Sequence, residues 1–191
     1  MAGSATSITI LVQAYPEGPS VRDDAGDLPL HVACRREFGA FEVARKVALA
    51  WPEGVREADK KGNLPLHLCC TYVHKQAEEL GRCLVELWPG AAEEMDPQGN
   101  TPLHLAACWS NSAGLVHELL QRNPKAASLR CGPGKKLPCE LVPDVNFTGG
   151  AADILTLLMR ANPAGARHLA ASRPSLNRAI VEFHKEARIY V

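Results

Sequence analysis

Aromatic residues are scarce in this sequence, 5% of 191, although 46% of it is hydrophobic. Wholesale disorder is excluded, and a core of Leu, Val, Ala and Cys suits thin helical layers better than a β-sandwich. The length allows one domain, or at most two small ones. Net charge is also lacking, with 21 Lys+Arg against 21 Asp+Glu. A broad nucleic-acid-binding or acidic-membrane-binding surface needs a basic surplus, so no nucleic-acid partner is expected. No apolar run approaches the ~20 residues that span a bilayer, so no membrane insertion is expected. The start has no early Lys or Arg, and its apolar run, 8–12, is too short for a signal-peptide core. The cysteines are Cys34, Cys69, Cys70, Cys83, Cys108, Cys131 and Cys139, without any CxxC pair. That removes the zinc-ribbon and thioredoxin patterns. Reduced thiols in the cytoplasm or nucleus are the expectation, an organelle remaining open. A phosphate loop is missing, because Gly132-Pro133-Gly134 lacks the Lys-Ser/Thr that must follow. Glu93, Glu94 and Asp96 lack the alternating spacing of a calcium loop.

What the sequence has is repetition. DDAGDLPLHVAC (23–34), DKKGNLPLHLCC (59–70) and DPQGNTPLHLAA (96–107) are copies, and GPGKKLPCELVP (132–143) is a decayed fourth. Between them runs a second ladder: AYPEG, AWPEG, LWPGA, RNPKA and ANPAG, with Pro16, Pro52, Pro89, Pro124 and Pro163. Each ladder proline precedes Pro29, Pro65 and Pro102 by 13 residues, and Pro138 by 14. Gly26, Gly62 and Gly99 suit a tight turn after Asp. Pro29, Pro65 and Pro102 suit the first helical position. The pattern predicts first helices over 29–36, 65–72 and 102–109, and second helices over 41–51, 76–88 and 113–122. The pre-proline residue stops each second helix. A lone helix at 6–14 and another at 174–188 are expected as caps. The fourth unit, with Gly132 for Asp, Lys135 for Gly and Glu140 near the histidine position, is expected to form an irregular turn with little first helix, then a helix over 151–161. The implied fold is an all-α solenoid of stacked helix–turn–helix units with β-turn/hairpin loops. Its segments are 1–22 (half-repeat cap), 23–58, 59–95, 96–131, 132–168 (degenerate) and 169–191 (capping helix).

Three copies of G-x-[LT]-P-L-H, with G-N-T-P-L-H-L-A-A at 99–107, closely resemble the ankyrin repeat. The likeness is clear over 23–161. The period is 36–37 where that family usually has 33, Leu replaces Thr before proline in two units, and Trp-Pro or Asn-Pro closes each second helix. The resemblance implies that His31, His67 and His104 bond backbone groups of the neighbouring hairpin. It also implies a non-catalytic protein-binding module, an adaptor, scaffold or regulatory subunit, whose partner meets the hairpin tips and the first-helix surface. Those positions are Asp24, Asp27, Arg35 and Arg36; Lys60, Lys61, Asn63 and Tyr72; and Gln98, Asn100 and Trp109. Arg, Tyr and Trp are the types enriched in interface hot spots. Arg35, Arg36, Tyr72 and Trp109 are therefore the expected anchors, with Lys60, Lys61 and Asp24 as rim. Trp51 and Trp88 recur at the repeat period and read as packing, whereas Trp109 has no counterpart tryptophan.

Enzyme chemistry fares worse. Equivalent His and Cys in successive repeats lie a helix-packing distance of ~8–10 Å apart, whereas zinc ligands must sit ~2.0–2.3 Å from one ion. Neither metal, cofactor, small-molecule substrate nor catalytic residue is expected. Two other readings stay open: a structural subunit of a larger assembly and, more remotely, a Cys/His redox or metal enzyme. Residues 1–121 carry 10 Lys+Arg and 16 Asp+Glu, while 122–191 carry 11 and 5. In a linear stack this predicts an acidic end and a basic end.

Overall fold

In a computed structural model, described over residues 17–35, 40–72, 77–109, 112–143 and 150–172, each of the first three units opens on a turn closed by its own aspartate. In the second unit the Asp59 amide donates to Asn63 O (2.9 Å), and the Gly62 amide donates to Asp59 O (2.9 Å). The Asp59 carboxylate accepts from the Lys61 and Asn63 amides. Asp96 repeats this set with Gln98 and Asn100. Gly26, Gly62 and Gly99 take φ of 79°, 85° and 77°, the left-handed region that a side chain disfavours.

Proline then starts a helix: α1 (Pro29–Cys34), α3 (Pro65–Thr71), α5 (Pro102–Trp109) and α7 (Pro138–Leu141). The histidine is its third residue, close enough to reach back over the open N-terminus. The Leu28 amide donates to His31 Nδ1 (3.0 Å), and the Leu64 amide to His67 Nδ1 (3.1 Å). At His104 the Thr101 hydroxyl takes that part (2.7 Å). Accepting at Nδ1 puts the ring hydrogen on Nε2. There it donates across the stack to the carbonyls of Glu57 (2.9 Å), Glu94 (3.2 Å) and Leu129 (3.1 Å). One buried side chain thus caps its own helix and ties it to the segment that leads into the next turn.

Second helices follow: α2 (Ala40–Ala50), α4 (Ala77–Leu87), α6 (Ala113–Arg122) and α8 (Gly150–Ala161). First helices pack on first helices and second on second, giving two layers with a leucine-rich core between them. Leu30, Leu66, Leu80, Leu84, Leu103, Leu115, Leu119 and Leu158 are fully buried in it. Each is worth about 2 kcal/mol of transfer free energy relative to exposure. After each second helix the proline opens a short turn, a 3₁₀ turn at Pro52–Arg56, Pro89–Ala92 and Pro124–Ser128.

The fourth unit departs in two ways. Its turn is one residue longer: Cys131 and Lys136 exchange both backbone bonds (3.1 Å each), five residues apart where Asp59 and Asn63 are four apart. That accounts for the 14-residue proline spacing. Lys135 stands three residues before the proline, as the glycines do, and takes φ 45°. Secondly, Glu140 occupies the histidine position and does its capping work, accepting from the Leu137 amide at 2.7 Å. A short α7 results, then α8 as anticipated from the apolar pattern. The sequence pattern predicts no helix between those at 151–161 and 174–188, but Pro163 opens a full helix, α9 (Pro163–Ser172), packed on α7 and α8. The caps expected at 6–14 and 174–188 lie outside the described residues, and the acidic-end, basic-end division is read only in part for the same reason.

Candidate protein-binding face

The four turns form one continuous row. A methyl group at Gly26 would meet Lys60 Cβ at 3.2 Å, and one at Gly62 would meet the Pro97 ring at 2.8 Å. The Gly132 amide donates to Gly99 O (3.1 Å). Because successive turns touch, their tips present residues in register: Asp24, then Lys60 and Lys61, then Gln98, then Lys135 and Lys136. All of these are exposed.

At the far ends of the first helices stand Tyr72 and Trp109, each seven residues after its proline. They are 44% and 55% exposed. Val21, Leu49, Met95 and Leu129 are also exposed, but tyrosine and tryptophan are the residue types enriched in binding hot spots. Leu105 and Cys108 lie half-buried on α5 beside Trp109. Lys136 approaches closely enough to draw the Cys108 thiol down, against the stronger upward push of burial.

Other expected contact residues have work inside the fold. Arg35 pairs with Asp27 and, at 2.5 Å, with Asp59 of the next unit. Burial pushes the Asp59 carboxyl up, but the Asn63 amide and side chain, the Lys61 amide and Arg35 together hold it below the usual range. The Asp59 side chain has no exposed surface. Taking Arg35 away would strand a buried carboxylate, so Arg35 and Asp27 join two units and are not free anchors. Asn63 and Asn100 are half-buried and bond Asp59 and Asp96 through their side-chain amides. Arg36 lies outside the described residues. Lys135 and Lys136 were missed because the fourth unit reads as decay. The signal was the extra residue between Pro124 and Pro138, which lengthens that tip.

Burial lowers His31, His67 and His104 below 6.5, more than their carbonyl partners raise them, so all three are neutral near pH 7. Burial likewise pushes every cysteine up, Cys69 to about 12 and Cys139 to about 11. These thiols are protonated at neutral pH, and the thiolate is the nucleophile and metal ligand. Among the described residues, no group of three or more His, Cys, Asp or Glu is placed to hold a metal ion. No described helix is long and apolar enough to cross a membrane.

Two comparisons bear on this arrangement. No curated protein matches the chain. The family model for the ankyrin repeat matches residues 98–130, which run from the third turn through α5 and α6 to the strut before the fourth turn. The ankyrin repeat is in general a protein–protein interaction module. The first two units share its turn, its proline-started first helix and its packed second helix. Residues 98–130 are thus an ankyrin repeat, set within an all-α stack of ankyrin-type helical units.

Proposed function

We propose that this chain is a non-catalytic adaptor, scaffold or regulatory subunit, and that it binds a protein partner through the turn tips and the ends of α3 and α5. The observation that supports it is the pair of exposed aromatics, Tyr72 and Trp109, at equivalent positions of adjacent units. Neither is needed to fill the core, and both are of types that carry binding energy when a partner desolvates them. Asp24, Lys60, Lys61 and Gln98 form the rim, which mainly tunes association rate and salt dependence. The buried histidines and raised thiols belong to the scaffold in this reading.

The test is the double variant Tyr72→Ala with Trp109→Ala. Peptides retained by the wild-type protein from a random displayed library should be lost by the variant, at about 2 kcal/mol or more of binding free energy. The thermal melt should barely move. A large fall in melting temperature, or peptide capture indifferent to both substitutions, would show that the face has been misassigned.

A further inference from the structure

The tips differ in charge, and the difference selects a partner. The first tip carries Asp23 and Asp24, both exposed. The second carries Lys60 and Lys61, the third the neutral pair Pro97 and Gln98, and the fourth Lys135 and Lys136. None of these four lysines makes an ion pair with a described residue, whereas Arg22, Arg35, Arg82, Arg122 and Arg130 all do. The row therefore offers two unpaired basic pairs with a neutral gap, and the half-buried Leu105 and exposed Trp109 lie in the unit that fills the gap.

Resting on the protein-binding reading above, we infer that the partner is an extended acidic peptide segment that runs along tips two to four. It places carboxylates at each end and an apolar side chain between them against Trp109. Units repeat at ~10 Å, so the lysine pairs stand ~20 Å apart. An extended chain covers that distance in about six residues. Asp23 and Asp24 repel such a segment, which fixes where it stops. Glu93 and Glu94, exposed just before the third turn, disfavour a polyanion of even charge such as RNA. A peptide can leave its middle uncharged.

The same library separates this inference from the reading beneath it. Peptides that need Tyr72 and Trp109 should be enriched in two acidic clusters about six residues apart. If such peptides are retained but lack acidic enrichment, the acidic-segment inference fails while the binding face stands. If none depends on the aromatics, the binding reading fails too. One enriched peptide, labelled for fluorescence anisotropy, then serves as probe. The K60E/K61E and K135E/K136E variants should each weaken it about tenfold, and added salt should weaken it further. Indifference to either lysine pair, or tighter binding of an oligouridylate than of the peptide, would overturn the assignment.

Discussion

After α2 and α4 the residue before proline is Trp51 or Trp88; after α6 and α8 it is Asn123 or Asn162. The position is the same and the chemistry is not. Trp88 lies over Arg56 of the preceding strut, guanidinium carbon 5.6 Å from the ring centroid. Gly54 and Gly90 leave room for the indoles, since a Cβ would meet them at 2.7 and 2.8 Å. Asn123 instead donates to Ala92 O (3.1 Å) and accepts from the Ala126 amide (3.2 Å). Asn162 does the same with Ala127 O (3.0 Å) and the Gly165 amide (2.9 Å). The first layer shows a parallel change. Histidine links the first three units to a backbone carbonyl, whereas Glu140 links the fourth to Arg130 (3.1 Å) and to His168 of α9 (3.2 Å). One junction can be closed by stacking on a half-exposed ring or by fully satisfied buried hydrogen bonds. The second kind tolerates loss less well, because it leaves polar groups stranded away from water.

Acidification should break the comparison most strongly. The unfolded chain takes up protons at its histidines as the pH falls below 6.5, and the folded chain, with these values lowered, does not. Stability therefore falls as pH drops from 6.5, by up to about 1.4 kcal/mol per pH unit for each histidine. Hydrogen exchange at pH 5.5 should show α1, α3 and α5 loosening before α8, whose unit has no such histidine. Equal loosening throughout would mean that the histidines are not the cause.

The strut residues give the next effect. Asn123→Leu keeps the size and strands Ala92 O and the Ala126 amide, at a cost of about 2 kcal/mol in urea unfolding. Trp88→Leu keeps an apolar side chain against the core and loses the contact with Arg56, about 1 kcal/mol. A larger loss at Trp88 than at Asn123 would reverse the ranking drawn from burial. The smallest effect has the opposite sign. Lys135→Gly relieves a left-handed backbone that lysine disfavours, and should stabilise by about 0.5–1 kcal/mol in the same measurement. Gly62→Ala at the equivalent place should destabilise, because φ is 85° and Pro97 leaves a Cβ no room.

The local grammar was legible in the chain alone: the turns, the proline-started helices and the pre-proline stops depend on residues within one or two turns of each other. So did the two-ladder spacing, whose single extra residue marks the longer fourth tip. The candidate face was half legible. Tyr72 and Trp109 stood out by type and phase, and the structure puts both on the surface. Arg35 looked like an anchor because nothing near it in sequence shows Asp59, 24 residues on, waiting in the next unit. Lys135 and Lys136 were hidden in a motif that had lost its Asp, its Gly and its His.

Sequence by itself determined the repeating unit and its stacking, since a lone helix pair cannot bury both faces and its copies can. Only the tertiary structure decided which charges remain free. A pairing across units depends on how two turns approach, and no residue carries that information within its own repeat. Arg35 is thereby taken into the junction, and Lys60, Lys61, Lys135 and Lys136 are left exposed on the tips without an ion pair to a described residue.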